Sequence, residues 1–528
     1  MSNLAESLDH QPDHVADAQV LATAPKVQPL ASTGLSIQCL SATGGMFELS
    51  LEDQKMMCLL SNGRLLISRS HSDEHSVYEY MDQLDRAGHS YKADYVGLQE
   101  ITAAYQLART SAVTAKAMKV EGETACQSRV VEFFREAVSR GASDIHFMPT
   151  GDGHYNINFR VHGTLELGAQ ALRADGEALI SSMYNSMCEG QESHFRPDSK
   201  QEGRLNKKFV EDAGLFGARI ATRPTLNGPW MACRVLYDNG GCIPLEKMGY
   251  TQEQQDALLN MSQMTEGLML LSGITGSGKS TSLQTLITKI IEDSGNTINV
   301  STIEDPIEYR IAGANQTLLQ GEWADEISSN MRMDIDALMV GEIRDRESGR
   351  AGIQGVLTGH LLLSTLHTQE AIGIIQRMVD LGIDENLVTD PAIMRCLVNQ
   401  ALVRILCPNC KKKLLGNEDG LNPHTLRRIY EVLDVPLVYI AGEGCEKCHG
   451  RGVVSRNVAA EILLPDFNFM QIFREKGKAA ARNYWVKEMG GFTKNMHLIQ
   501  KIHAGEVDPF HGERDVCWLD TDKRTLEK

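Results

Sequence analysis

Runs of apolar residues alternate with segments of helical spacing in the middle of the chain. Residues 268–271 form an apolar run that, with Ser272, is typical of a short buried strand. Residues 281–291 then repeat apolar positions with the spacing of a helix. Strand-like runs recur within 298–308, 334–345 and 358–368. Strands that alternate with helices predict an α/β domain in this part of the chain.

The same periodicities outline further units on either side. A helical pattern at 129–140, followed by strand-like runs at 155–161, 217–222 and 230–236, predicts an α+β domain. The patterns before it are strands at 46–51 and 64–68 and helices at 76–87 and 96–107. We therefore divide the chain into a disordered tail (1–35), a small mixed α/β N-terminal domain (36–120), an α+β second N-terminal domain (121–238), an α/β core (239–406), a cysteine-rich element (407–458) and a helical C-terminal region (459–528). A hinge is expected at 238–241, which reads Asp-Asn-Gly-Gly.

The charge balance narrows the class of partner. The chain has 52 Lys and Arg against 69 Asp and Glu, a formal net charge of −17. This balance disfavours a broad surface that tracks nucleic-acid phosphates. No apolar run approaches the ~20 residues that a membrane-spanning helix needs, and the N-terminus lacks a secretory signal pattern. We expect a cytoplasmic protein that reaches membranes only through partners.

A glycine-rich segment joins the first buried strand to the helix that follows. It fits the phosphate-binding pattern G-x-x-x-x-G-K-[ST] and has the flanking elements that the pattern requires. Backbone N–H groups of such a loop point at a polyphosphate. Lys279 would reach the β and γ phosphates, and Ser280 would bind Mg²⁺. The predicted loop residues are Gly273, Ile274, Thr275, Gly276, Ser277, Gly278, Lys279, Ser280 and Thr281. The alternative is a flexible Gly/Ser loop with an incidental lysine.

Acidic and histidine side chains stand at the ends of the next strands. Glu304 and Glu342 follow β-rich runs, where open α/β sheets place their ligands and where Mg²⁺ finds oxygen atoms. His360 and His367 bracket a third buried run. Each also has a structural explanation, since acidic strand ends cap helices and histidines beside a core often only form hydrogen bonds.

Four cysteines form two C-x₂-C pairs, Cys407 with Cys410 and Cys445 with Cys448. Two such pairs can supply four thiolates to one tetrahedral Zn²⁺. The 34 residues from 411 to 444 exceed the gap of a compact zinc ribbon, so we expect an inserted helical arm that includes 426–433. The alternative is a set of free thiols. The other eight cysteines are scattered, and we expect small buried residues there.

The order of these segments resembles the secretion ATPase superfamily, the motor ATPases of type II secretion and type IV pilus assembly. Residues 273–280, 302–308, 340–345 and 358–368 correspond to its Walker A, Asp box, Walker B and His box. Upstream, 142–146, 160–163 and 201–204 resemble motifs of the family's second N-terminal domain. The resemblance implies a RecA-like P-loop ATPase domain preceded by a smaller α+β domain, with a tetracysteine zinc-binding insertion and a helical C-terminal region.

Carried over to this chain, the resemblance also assigns roles. Glu304 would polarise the attacking water, while Glu342 would lie at the metal and γ-phosphate and could itself be the base. His360 and His367 would sense the γ-phosphate. Three arginines would reach the nucleotide from the second N-terminal domain: Arg160, Arg219 and Arg234. Three departures from the family pattern are His162 in place of aspartate, Ser348 in place of threonine, and the missing proline between Asp334 and Asp336.

The resemblance implies ATP, Mg²⁺ and Zn²⁺ as cofactors and a homohexameric ring at an inner-membrane platform protein. A tetracysteine element favours assembly or secretion over pilus retraction. The N-terminal unit favours a type IV pilus of the type IVb branch, but the sequence does not separate pilus assembly from type II secretion or a conjugative pilus. Two other functions stay open: a helicase or DNA translocase, which the net charge disfavours, and a regulatory module that binds ATP without turnover.

Overall fold

The computed structural model describes residues 39–42, 46–50, 52–105, 123–189, 194–238 and 243–526. The predicted disordered tail and most of the predicted hinge at 238–241 lie outside these residues. Within the described residues, no helix combines the length and apolarity that crossing a bilayer requires.

The first unit is a small three-stranded sheet in the order β1-β2-β3. Its elements are β1 (Met57–Leu59), β2 (Arg64–Ser68), α1 (His75–Arg86), β3 (Lys92–Val96) and helix α2, described over 98–105. Helix α1 connects the parallel strands β2 and β3 and packs Leu84 against Leu65 and Ile67. The strand predicted at 46–51 is wrong, because residues 46–50 form an irregular segment held by the Tyr80 hydroxyl on the Phe47 carbonyl oxygen (2.7 Å).

The second unit is an antiparallel sheet with two helices on one face, in the strand order β6-β5-β4-β10-β9-β8-β7. Its elements are α3 (Glu123–Arg140), β4 (Ala142–Pro149), β5 (His154–Val161), β6 (Thr164–Leu172), α4 (Arg173–Ser182), β7 (Cys188–Glu189), β8 (Gln201–Leu205), β9 (Leu215–Thr225) and β10 (Gly228–Tyr237). Ile145 and Phe147 of β4 pack with Phe134 of α3. Because strand side chains alternate, Asp144 lies on the opposite face. That polar face carries the arginines predicted to meet the nucleotide.

The third unit is a seven-stranded sheet in the order β13-β12-β14-β15-β11-β16-β19. Its strands are β11 (Gly267–Ser272), β12 (Val300–Glu304), β13 (Ala314–Leu318), β14 (Ala337–Val340), β15 (Leu361–Leu366), β16 (Met394–Leu406) and β19 (Val453–Leu463). Its helices are α5 (Leu245–Met248), α6 (Gln252–Ser262), α7 (Lys279–Asp293), α8 (Trp323–Asn330), α9 (Arg346–Leu357), α10 (Gly373–Asp380) and α11 (Glu385–Val388).

All neighbouring strand pairs of this sheet are parallel except β16 with β19, which are antiparallel. The sheet has an apolar core on each face, as a covered parallel sheet requires. Leu270 packs with Leu338 on one face, whereas the next residue, Leu271, packs with Met339 on the other. The continuous apolar runs in the sequence follow from this burial on both faces.

The cysteine-rich element is an insertion between β16 and β19. It contains the short pair β17 (Lys412–Lys413) and β18 (Tyr439–Ile440) and helix α12 (Pro423–Val432), which is the predicted arm. The C-terminal helices are α13 (Phe467–Lys487), α14 (Lys494–His503), α15 (Pro509–Asp515) and α16 (Thr521–Thr525). Because β19 pairs with β16, residues beyond the cysteines complete the seven-stranded sheet, and this strand runs across the boundary predicted at 458.

His497 links α14 to β19 and should make stability depend on pH. Its Nδ1 accepts a hydrogen bond from the Ala460 N–H (3.0 Å), and burial, with Lys501 nearby, lowers its pKa from 6.5 to about 4. Because the pKa of His497 is lower in the folded than in the unfolded state, protonation of this side chain favours unfolding. The contribution of neutral His497 to the free energy of unfolding is therefore complete above about pH 6.5. It is lost as the pH falls towards 4, a decrease of about 3 kcal/mol. The free energy of unfolding, measured with urea between about pH 7.5 and 4.5, should change less with pH in His497→Gln than in the wild type. Equal slopes in the two proteins would contradict this.

Candidate active site

The glycine-rich loop has a shape that other residues could not adopt. Gly273 has φ +148°, and a Cβ built on it would lie 2.3 Å from the Gln400 carbonyl oxygen and 2.6 Å from Ser277 Oγ. Gly276 and Gly278 have φ of +77° and +87°, and Gly278 is the N-cap of α7. The backbone therefore turns sharply from β11 into α7, so that the loop and the helix N-terminus can face an anion together.

Lys279 bends back over this loop. Its Nζ donates to the carbonyl oxygens of Gly273 (2.9 Å) and Ile274 (3.2 Å), and its side chain is buried. Burial lowers the pKa of Lys279, while the nearby carboxylates of Glu342 and Glu308 oppose that shift. The lysine charge is thus held close to the loop by acidic groups at neighbouring strand ends.

One histidine joins the loop to the carboxylate after β14. His367 Nδ1 lies 3.1 Å from the Gly273 carbonyl oxygen, and its Nε2 lies 3.3 Å from Glu342 Oε1. The second oxygen of Glu342 accepts a hydrogen bond from Arg344 Nε (2.8 Å). The loop, the Walker B glutamate and the end of β15 therefore meet at one edge of the sheet.

Glu304 ends β12 at the same edge and is held by two hydrogen bonds. Its Oε1 accepts from Thr302 Oγ1 (2.7 Å) and from Gln316 Nε2 (2.9 Å). Burial raises the pKa of Glu304, and these two hydrogen bonds partly offset the shift. A buried carboxylate with a raised pKa is a better proton acceptor than an exposed one, which suits a base.

His360 does not belong to this group, which corrects the expectation that both histidines lie at the phosphate. It precedes β15, whereas His367 follows it, and a strand of this length separates its two ends by about 20 Å. The ring of His360 instead contacts Thr358 Oγ1 (3.1 Å) and the Gly355 carbonyl oxygen (3.2 Å) at the end of α9. Its surroundings are those of a structural histidine.

The three predicted arginines share the polar face of the second unit. Asp144 lies opposite Arg160 on one side and Arg234 on the other, and Arg234 lies opposite Arg219. Directly opposed residues point to one face, so the four side chains form a row. The Nε atoms of Arg234 and Arg160 lie 3.3 and 3.9 Å from the carboxylate oxygens of Asp144, and Arg219 pairs with Glu202 (3.3 Å).

The charge of Arg234, one member of this row, reaches the third unit, which carries the glycine-rich loop. Burial raises the pKa of Tyr309, and the charge of Arg234 opposes that shift, so Arg234 acts on Tyr309 electrostatically. The Tyr309 hydroxyl lies 3.4 Å from Thr281 Oγ1, in the first turn of α7. The charge of Arg234 is therefore felt by a side chain that lies beside the first turn of α7.

Sequence reasoning missed the side chains that support the loop from β16. Gln400 Nε2 donates to the Ser277 carbonyl oxygen (2.8 Å), and Gln400 Oε1 accepts from the Tyr250 hydroxyl (2.7 Å). Asn399 Nδ2 donates to Ser272 Oγ (2.9 Å), at the end of β11. A signal was present, since Asn399 and Gln400 are two polar residues between the apolar runs 396–398 and 401–403.

The four predicted metal-ligand cysteines converge. The Sγ atoms of Cys407 and Cys445 are 3.6 Å apart, those of Cys410 and Cys448 are 3.7 Å apart, and all four lie within 4.8 Å of one another. Thiolates at about 2.3 Å from a tetrahedral zinc would be about 3.8 Å apart, so the set fits that ion. Cys448 Sγ also accepts the N–H groups of Cys445 (3.1 Å) and Gly452 (3.2 Å), which suits a thiolate.

A parallel sheet with a glycine-rich loop between β11 and α7 and acidic strand ends beside it defines a RecA-like P-loop protein. Residues 120–508 match the family model described as Type II/IV secretion system protein, and the chain belongs to that family. The resemblance found in the sequence is thereby confirmed, together with the predicted fold class.

The chain is similar to three curated relatives in particular. It is 33% identical over 344 residues to the type II secretion system protein E of Pseudomonas aeruginosa, covering 63% of this chain and 64% of that protein. It is 32% identical over 356 residues to the type II secretion system ATPase E of Vibrio cholerae, covering 66% and 67%. The corresponding values for the type IV pilus assembly ATPase PilB of Thermus thermophilus are 31% over 352 residues, 65% and 38%. The match thus spans less than two thirds of the first of these relatives.

A solved structure supports the fold alone. The Legionella pneumophila ATPase DotB is 20% identical, with a TM-score of 0.50 over 73% of this chain and 94% of that chain.

Proposed function

We propose that this chain is an ATP-hydrolysing motor that powers type IV pilus assembly or type II-like protein secretion. The observation that carries the proposal is the contact of His367 with both the Gly273 carbonyl oxygen and Glu342 Oε1. Through it, one side chain can respond to a bound phosphate and to the carboxylate beside it. The relatives named as secretion and pilus assembly ATPases support the proposal that hydrolysis powers one of these two processes.

The loop suits a nucleoside triphosphate with Mg²⁺. The Ser277 hydroxyl is buried and has no hydrogen-bond partner among the residues that the structure describes, and a Cβ on Gly273 would fill the turn beside it. Gly273 to Thr281 would hold the phosphates of ATP, with Lys279 at the β and γ phosphates and the exposed Ser280 hydroxyl on Mg²⁺. The metal supplies charge neutralisation at the phosphates when bound.

The buried carboxylate of Glu304 is our candidate for the general base, and Glu342 for the metal and γ-phosphate side of the site. Glu304 has a raised pKa and a fixed orientation, which favours proton abstraction from water. Glu342 lies between Arg344 and His367, where it can pass a change at the phosphate to other side chains. Arg160, Arg219 and Arg234 would approach the nucleotide from the second unit and couple hydrolysis to domain movement.

Replacement of each glutamate separates these roles. We expect Glu304→Gln to lower kcat at least about 100-fold while ATP affinity changes little, since only proton transfer is lost. Glu342→Gln should lower kcat and also shift the Mg²⁺ concentration needed for half-maximal rate. Steady-state hydrolysis and nucleotide titration measure both effects. Glu347→Gln, an exposed carboxylate in the first turn of α9, is the matched control, and a Glu304→Gln protein with wild-type kcat would exclude Glu304 as the base.

As a motor, the chain would act in the cytoplasm as a homohexamer, peripheral to the inner membrane through a platform protein, with Zn²⁺ in the cysteine set. The net charge of −17 disfavours the second candidate, a nucleic-acid translocase. Deleting the gene from its host should abolish surface pili or protein export, and the wild-type gene, but not one encoding Lys279→Ala, should restore it. DNA-stimulated hydrolysis with pili and export intact would favour the translocase.

A further inference from the structure

The second cysteine knuckle, residues 445–452, contacts both units that precede the ATPase sheet. Its Arg451 reaches the second unit, where Nε lies 2.5 Å from Glu166 Oε1 and Nη2 lies 3.0 Å from Glu166 Oε2. This is a two-pronged ion pair between residues 285 positions apart. Both side chains are only about one-fifth exposed, at 20% and 21%.

The pair has the features that make an ion pair contribute measurably. A guanidinium that meets both oxygens of a carboxylate is geometrically restricted, and reduced exposure limits screening by water. Glu166 is also fixed from its own unit, because Arg140 Nη1 lies 3.8 Å away and the Arg140 guanidinium stacks on Phe159 at 4.9 Å. The carboxylate is therefore held ready for Arg451 rather than ordered by it.

His162, where the family pattern has aspartate, lies beside this pair. It occupies the turn between β5 and β6 with φ +48°. Burial and the charges of Arg451 and Arg456 lower the pKa of His162, while the charge of Glu166 opposes that shift, so the neutral ring is favoured. Whereas an aspartate at this position would compete with Glu166 for Arg451, the neutral histidine leaves the pair intact.

The first unit meets the same knuckle from another side. Lys55 Nζ lies 3.4 Å from Glu446 Oε1, and Gln99 Nε2 lies 3.5 Å from the Gly450 carbonyl oxygen. These contacts are more exposed and individually weak. Their position shows that the first unit contacts the same eight residues, 445–452, that also contain Arg451.

The cysteines determine the shape of this segment. Cys448 Sγ accepts N–H groups from Cys445 and Gly452, on either side of Arg451. Gly450 and Gly452 have φ of +76° and +72°, and a Cβ on Gly444 would lie 2.4 Å from the Gly450 backbone. The orientation of Arg451 is therefore fixed by this tight turn, and it depends on the sulfur atoms staying in place.

We propose that the knuckle 445–452 is a docking surface for both N-terminal units of the same chain, with Arg451 and Glu166 as its interdomain latch. The cysteine element then has a task beyond its own folding: it holds the second unit, and with it the arginine row, against the ATPase sheet. The latch does not depend on ATP hydrolysis. Only the metal arm of the test below rests on the proposed zinc site.

Hydrogen–deuterium exchange of the full chain tests the latch with a charge swap. Arg451→Glu and Glu166→Arg should each increase exchange about tenfold in the β5–β6 turn on one side and in 446–452 on the other. The double variant, which restores opposite charges, should return exchange towards wild type in both segments. Unchanged exchange in the single variants, or no recovery in the double variant, would overturn the proposal.

Two controls keep the test decisive. Arg427→Glu breaks the exposed Arg427–Glu431 pair on α12 of the same element and should leave exchange in the β5–β6 turn unchanged. If Arg451→Glu loses its metal, Glu166→Gln tests the latch from the other unit, where the cysteines are untouched. Removing zinc with a chelator should raise exchange in the β5–β6 turn as Arg451→Glu does, and unchanged exchange there would exclude the metal as the support of the latch.

Discussion

Lys279→Ala is expected to reduce ATP turnover by about 100- to 1,000-fold, the usual loss when a preorganised charge at the reacting group is removed. The Lys279 ammonium is buried and already held at the Gly273 and Ile274 carbonyl oxygens, so the neutral methyl leaves no cation in the loop. ATP affinity should also fall, because the lysine would contact the β and γ phosphates in the ground state as proposed above. Phosphate release at saturating ATP and nucleotide titration separate the two losses.

Lys289→Ala is the matched control for that experiment. Lys289 lies on the same helix, α7, but pairs with Asp293 at the far end of it. Its removal should leave turnover within about twofold of wild type, as for most surface substitutions. Equal turnover in wild type and Lys279→Ala would remove the loop from the mechanism, whereas nucleotide binding with no turnover in the wild type would favour the regulatory module that binds ATP without hydrolysing it.

Most of the fold and the centre of the candidate site could be predicted from local sequence patterns. The loop, its strand and its helix are consecutive in the chain, so β11 and α7 could be located from their periodicity and the glycine spacing. Glu304 and Glu342 could be placed at one edge because parallel strands bring their carboxyl ends together. The four cysteines were predictable because tetrahedral zinc requires their spacing.

Features that depend on long-range pairing were out of reach. His360 and His367 are equally close to a buried run in sequence, and only the direction of β15 separates one from the loop. The strand β19 pairs with β16 across the whole cysteine insertion, and no local pattern determines that register. Glu166 and Arg451 are ordinary charged residues in the sequence, and their significance comes from the packing of separate units.

The second large effect is expected when two cysteines of the metal-ligand set are replaced. The double variant Cys407→Ser/Cys410→Ser should lose about one zinc per chain, because serine hydroxyls do not replace thiolates at this ion. Apparent binding energies of structural zinc are about 10–16 kcal/mol in small peptides, so the element should unfold without it. Metal analysis of the purified protein and a thermal melt, with a new low-temperature transition, would record both consequences.

The loss should stay largely within the insertion and the surface that it supports. Leu414 and Ile429 of the element pack with Leu498 and Ile502 of α14, so the first transition should include that helix. The loop lies beside Leu402, on the face of β16 opposite to Val403, which packs with the element, so ATP binding should survive. Cys188→Ser is the control, since Cys188 lies in the second unit and should leave zinc content unchanged. A double variant that keeps its zinc would show that the ion is bound elsewhere, and a wild-type protein that never contains zinc would show that the four thiols are free and that the latch is supported by packing alone.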